Sequence, residues 1–333
     1  MQELTQRLTG AFGISGYEDE VRAVIREEIA GLVDELHIDA MGNLVTLRRG
    51  TGGGRRVMLA AHMDEIGAMV TYIDEQGFMR FAPVGGLYPS ICLGQQVQFA
   101  DGTVGSIGLD GRADRNQAPK LTDLFIDVGA GARGEVKQKP GDPAVFRQRF
   151  AAQGNAWFAP NMDDRIGCVV LIQLLRELKG KDIAHDIYGV FTTQEEVGLR
   201  GAMTSAYAVN PDVAIALDVT LTGDTPHATP AMEVYMGHGT AIKVQDAGMI
   251  GHVGLNRLLV AAAEASQVLY QMEVLTGGST DARAMQVARE GVPASAVSVP
   301  SRYVHSPSQI VDRRDVEASV ALLRSLLRGP IQL

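Results

Sequence analysis

The sequence predicts an α/β fold interrupted by an inserted β-rich domain. Three observations carry this. Helix-period segments alternate with apolar strands at both ends of the 333-residue chain; the run Val57 to Ala61 is apolar on both faces; and the texture between about residues 65 and 151 changes to short strands broken by Gly and Asp turns. A strand that is apolar on both sides belongs inside a covered, parallel sheet.

Taken in order, Leu4, Leu8, Val21, Val24, Ile25, Ile29 and Leu32 recur at helical spacing. The glycine-rich stretch "GISGYEDE" interrupts them, and Ser15 or Gly16 is placed to start the second helix. "NLVTLRRG" and "RRVMLAAHMDEIG" read as strands separated by the turn "GTGGG". The β-rich block shows no convincing helix. From Met162 onward, "DDRIGCVVLIQLLRELKG", "DIYGVFTT", "VAIALDVT", "HVGLNRLLVAAAEASQV", "VPASAVSVP" and "RRDVEASVALLRSLLRG" restore the helix and strand alternation. The expected division is therefore residues 1–64 plus 154–333 for the α/β domain and 65–153 for the insert. No repeat period or low-complexity tract is visible.

Composition narrows the function classes. Hydrophobic residues make up 46% and charged residues 21%, as in soluble globular proteins. With Lys plus Arg at 30 against Asp plus Glu at 39, the net charge of −9 repels phosphate backbones and anionic lipid on average, so neither nucleic acid nor a membrane is an expected partner. No run reaches the ~18 apolar residues of a membrane span. Cys92 and Cys168 lie far apart and without CxxC spacing, which argues against a disulfide framework and a cysteine metal site. The amino terminus does not read as a secretory signal, and the expected location is the cytoplasm.

Ligands of open α/β sheets bind at the carboxyl ends of the strands, so the polar residues there are the candidates. They are His62 and Asp64 after "VMLAA", Asp163 and Asp164 before a helix, Glu195 and Glu196 after "YGVFTT", Asp218 in "AIALD", and His305 after "VSVPSRYV". Each alone has an ordinary reading: a core histidine, a helix-capping acid, a solvated turn. Together, two imidazoles and several carboxylates at one sheet edge form an N/O donor set that suits zinc, cobalt or manganese better than calcium. The absence of thiols points to a catalytic site with open positions rather than a closed structural one.

The strings "AAHMDEIG", "DDRIGC", "EEVGLRGA", "ALDVT" followed by "DTPH", "GHGTAI", "GGSTDA" and "YVHSP" resemble, in order and over nearly the whole chain, those of the glutamyl-aminopeptidase-type and tetrahedral (TET) aminopeptidases, some of which are labelled endoglucanases. The resemblance implies a mixed-sheet zinc-peptidase catalytic domain with an inserted PDZ-like β-barrel for dimerisation. It implies two divalent ions, zinc or cobalt, on His62, Asp163, Glu196, Asp218 and His305, with Asp163 bridging, Glu195 as the base and Asp64 orienting His62. Adjacent acids in extended chain point apart, which would let Glu196 take metal while Glu195 faces water. His227, Leu221 and Gly278 resemble positions lining the substrate site. The implied reaction is removal of the first residue of short peptides by a metal-bridging water, in a homo-oligomer of dimers building to a tetrahedral dodecamer. A carboxypeptidase or deacylase on the same fold is the alternative, and an endoglucanase a remoter one.

Overall fold

The computed structural model describes residues 1–333 except 115 and 230. Two helices, α1 (Gln2–Gly10) and α2 (Asp19–Glu28), lead in. The second begins later than Ser15 or Gly16, for a physical reason: Ser15 Oγ donates to Asp64 Oδ2 at 2.6 Å, Gly16 has φ +86, and Gly16 N is taken by Glu18 Oε1 at 2.7 Å. The segment is a side-chain-bonded loop aimed at the site, and its donors are unavailable to a helix.

Strands β1 (Glu35–Ile38), β2 (Leu44–Arg48) and β3 (Arg56–His62) follow. All but the first residue of β3 are buried, and its side chains divide: Val57, Leu59 and Ala61 join one core cluster, Met58 and Ala60 the other. That is the two-faced burial expected of a central strand. The chain then leaves the sheet to build a closed barrel from β4 (Gly67–Ile73), β5 (Met79–Val84), a one-turn helix α3 (Pro89–Cys92), β6 (Gln96–Phe99), β7 (Val104–Leu109), β8 (Leu124–Asp127) and β9 (Pro143–Phe146). The barrel has its own core, centred on Val70, Met79, Phe99 and Ile126. α3 is an addition to the expected all-strand insert.

β10 (Ala151–Gln153), which the 65–153 span put in the insert, pairs antiparallel with β11 (Ala156–Ala159) of the large sheet. The return continues with α4 (Met162–Leu178), β12 (Asp186–Thr192), α5 (Arg200–Val209), β13 (Val213–Thr220), β14 (Thr240–Gln245), α6 (Val253–Ala265), β15 (Tyr270–Val274), α7 (Asp281–Gln286), β16 (Ala294–Arg302), β17 (Gln309–Asp312) and α8 (Arg313–Arg328). The mixed sheet has eleven strands in the order β1-β2-β12-β3-β13-β16-β17-β11-β10, with β14 on β16 and β15 on β14. Its centre, β12-β3-β13-β16, is all parallel. Residues of α1, α2, α4, α6 and α8 cover one face, those of α5 and α7 the other. Among the described residues no helix is long and apolar enough to cross a membrane.

One buried cation ties the lead-in to this frame. Arg165, fully buried in α4, donates to Leu8 O at 2.7 Å and Ala11 O at 3.0 Å, and pairs with buried Glu65 Oε1 at 2.8 Å.

Candidate metal centre

Four parallel strands deliver the polar residues to one edge. β3 ends on His62, which lies in register with Thr192, the last residue of β12; Glu195 and Glu196 follow three and four residues later. Asp218 lies on β13 opposite Ser298 of β16, and His305 comes three residues after β16 ends. Asp163 stands at the start of α4, where the backbone at Asp163 (φ −77, ψ 105) and Asp164 (φ −121, ψ 42) is not helical. The two acids therefore do different things. Asp164 Oδ1 accepts Gly167 N at 2.9 Å, capping the helix, and its Oδ2 accepts His62 N at 3.2 Å. Asp163 is left to face the cavity.

Its two oxygens meet two imidazoles. Asp163 Oδ1 lies 2.9 Å from His62 Nε2, and Oδ2 lies 3.2 Å from His305 Nε2. Glu196 Oε2 is also 3.2 Å from His305 Nε2, and Glu196 Oε1 is buried without a partner. His62, Asp163 and Glu196 can each bring one donor atom within 4.8 Å of the others; so can His62, Asp164 and Asp218.

Electrostatics describe a set of groups waiting for positive charge. Burial, and then the neighbouring Asp163, raises Asp218 well above the usual carboxylate range. Burial also raises Glu195, with Asp218 and Glu196 adding to it against the pull of His62. Glu196 is raised by burial and by Asp163. Burial alone would lower the imidazoles, yet both are raised: His62 by Asp163 and Asp64, and His305, by Asp163 and Glu196, to about 11. Cations at this point would relieve the carboxylate repulsion that raises Asp218, Glu195 and Glu196, and the donor set and its crowding fit divalent ions.

The acid pair is not held in the extended chain the sequence suggested. Gln194 has φ 55, and Glu195 and Glu196 sit in a loop beyond the strand. Their directions are set by Asp64, whose Oδ1 accepts Glu195 N at 3.0 Å and whose Oδ2 accepts Glu196 N at 3.2 Å. Glu18 adds a third hold, accepting Gln194 N at 3.2 Å. Asp64 also meets His62 Nδ1, chiefly through its backbone carbonyl at 3.0 Å, with Oδ1 at 3.4 Å. Burial opposes ionisation of Asp64, but His62 and Ser15 hold it below the usual range.

A cavity of about 620 Å³ opens on this cluster. Leu221 and Gly278 line it; His227 does not, standing exposed at φ 54. Sequence reasoning missed Gly86 and Tyr88, contributed by the barrel, and Lys243, Thr276, Thr280 and Arg283. The one available signal for the first pair was the glycine-rich turn "VGGLYPS" beside a strand end. Gly86 is needed where it is: a Cβ there would stand 2.5 Å from His305 Nδ1.

Known proteins resemble this chain over nearly its whole length. Residues 42–322 match the model of the M42 glutamyl aminopeptidase family. A relative from Acetivibrio thermocellus is 43% identical over 325 residues, 97% of each chain. Among solved structures, aminopeptidase APDkam598 from the archaeon Desulfurococcus kamchatkensis superposes with a TM-score of 0.94 at 40% identity, covering 98% of this chain and 94% of that one. The TET1 peptidase of Pyrococcus horikoshii, described as assembling into a tetrahedron or a large octahedral shell, gives 0.88 at 33%, covering 98% of each. The chain belongs to the M42 glutamyl aminopeptidase family and is a hydrolase of peptide bonds.

Proposed function

We propose that the chain is a di-metal aminopeptidase that removes the first residue of short peptides. The observation that carries this is Asp163, which offers one carboxylate oxygen to His62 and the other to His305. On that reading His62 and Asp218 would hold one divalent ion and Glu196 and His305 the other, with Asp163 shared between them. Asp164, which can also bring an oxygen near His62 and Asp218, is read as support because its oxygens accept the backbone N–H groups of His62 and Gly167. The ions, zinc or cobalt, would supply a Lewis acid for the scissile carbonyl and acidify water at neutral pH.

The chain's own residues do the rest. Glu195, a cavity-lining carboxylate in the same loop as Glu196, takes a proton from water at its Oε atoms and hands it to the leaving amine. Asp64 fixes that loop through two backbone donors and keeps His62 oriented for ligation. Gly86 and Tyr88 wall the cavity from the barrel side.

We further infer that the protein is a homo-oligomer in which the barrel makes a dimer contact and dimers build to a dodecamer; the likeness to the Pyrococcus horikoshii TET1 peptidase, which can assemble into a tetrahedron or an octahedral shell, supports the homo-oligomer. Free, buried Cys92 and Cys168 suit the cytoplasm. The test is a pair of substrates. Chelator-stripped protein should be inactive on a free aminoacyl arylamide and recover with zinc or cobalt, while the N-acetylated form stays uncleaved. Equal release of arylamine from the two would point to an endopeptidase, and release of acetate from the blocked form to a deacylase.

A further inference from the structure

We propose that the outward face of α6, with the groove between it and the edge strand β15, is an interface with a second copy of this chain, the two α6 helices lying antiparallel across a two-fold axis. It is a contact additional to that of the barrel, and it stands whether or not the chain is a peptidase.

α6 packs onto the protein through Leu255, Leu259 and Ala263, which are buried. Turned the other way, along one stripe at helical spacing, are Val253, Arg257, Val260, Ala261 and Glu264. A helix face that stays in water is ordinarily charged along its length, yet Arg257 and Glu264 are the only charged residues among the thirteen of α6. The stripe borders a groove of about 380 Å³ that Met272 of β15 and Ile250 also line. Ile250 is 65% exposed, Val253 59%, Met272 42% and, two residues on along β15, Val274 50%. β15 is itself an open edge: it pairs with β14 on one side and, among the described residues, with no strand on the other. Edges left in water are commonly blunted by outward charge or proline; "YQMEV" offers neither, since Glu273 turns inward to Lys243.

The charges select the occupant. Arg257 is exposed and makes no ion pair or side-chain hydrogen bond among the described residues, and Glu264 takes only the Tyr270 hydroxyl, at 3.2 Å. They stand two turns apart, about 10 Å along the helix, too far to pair with each other. In an inverted second copy, with the axis passing between Val260 and Ala261, Arg257 lies opposite the partner's Glu264, and Glu264 opposite the partner's Arg257. One contact thus closes two ion pairs. Between them Val260 meets the partner's Ala261, whose small side chain lets the helices approach closely. A helix of another sequence would need the same two charges in reverse order at the same spacing; a copy of this chain supplies them by symmetry. The apolar groove beside the stripe leaves water in the same step.

The experiment measures assembly by sedimentation velocity over a dilution series of the metal-loaded enzyme, for the wild type, Arg257→Glu, Glu264→Arg and the double exchange R257E/E264R. Both side chains are exposed, so the fold should be untouched, which far-ultraviolet circular dichroism verifies. Either single exchange sets like charges at both ends of the contact and should weaken it about 10- to 100-fold, shifting the population to smaller species. The double exchange restores opposite charges, and so does mixing the two single variants in equal amounts; each should return the wild-type size. The same size in every variant, or a loss that neither the double exchange nor mixing repairs, would overturn the proposal and leave the barrel contact and the aminopeptidase reading standing. A wild type that is monomeric throughout the series would overturn this contact and the barrel contact together.

Discussion

Asp64 Oδ1 accepts the backbone N–H of Glu195 at 3.0 Å, so the backbone of the proposed base is held by a side chain 131 positions earlier. The same carboxylate holds Glu196 N and receives Ser15 Oγ. Asp64→Ala should therefore loosen the proposed ligands His62 and Glu196 and the proposed base Glu195 together. The expected loss is about 10- to 100-fold in metal affinity or kcat/KM, the usual cost of removing a group that orients ligands. Steady-state kinetics beside metal analysis measures it. Wild-type values for both would mean the loop keeps its shape without Asp64.

Glu195→Gln separates chemistry from metal holding. The amide keeps the volume but cannot accept a proton, so turnover should fall about 100- to 10,000-fold while two ions per chain remain. Turnover near that of the wild type would remove Glu195 from the reaction; loss of an ion would make it a ligand instead.

The barrel reaches the site through a glycine. A Cβ on residue 86 would meet His305 Nδ1 at 2.5 Å and Cε1 at 2.8 Å, and His305 sits at φ 61 with little freedom to retreat. Gly86→Ala should displace the imidazole, weaken one ion's binding and cost about 100-fold in rate, the scale of a 1 Å misplacement. Unchanged metal content and rate would show that His305 is not a ligand, or that the barrel loop gives way.

What could be read from the sequence follows from pattern. His62, Glu195, Glu196, Asp218 and His305 each stand near the end of an apolar strand, where the polarity break is visible, and the parallel sheet converts that position into a shared edge. The α/β alternation and the β insert were legible for the same reason. Ser15 and Glu18 were not: they look like helix-start residues, and what they bond, Asp64 and Gln194, is far away in the chain. Gly86, Lys243 and Arg283 come from elements whose approach to the cavity depends on tertiary packing. His227 rested on the family resemblance alone, with no strand end to mark it, and it stands exposed outside the lining of the cavity.

Metal uptake should depend steeply on pH. In the metal-free chain, burial disfavours a charged His305, but Asp163 and Glu196 outweigh it and push the group from 6.5 to about 11; His62 moves the same way. For folding alone, this raised group adds stability that is full below about pH 6.5 and is lost as pH rises through about 11. For binding, the sign reverses, since an imidazole nitrogen carrying a proton cannot ligate. Each proton expelled makes the apparent affinity rise about tenfold per pH unit. Titrating chelator-stripped protein with zinc or cobalt, in buffers of different ionisation heat across about pH 6 to 9, should show protons released and affinity climbing with pH. Uptake without proton release would mean that His62 and His305 are neutral before the ions arrive, and that carboxylate repulsion alone prepares the site.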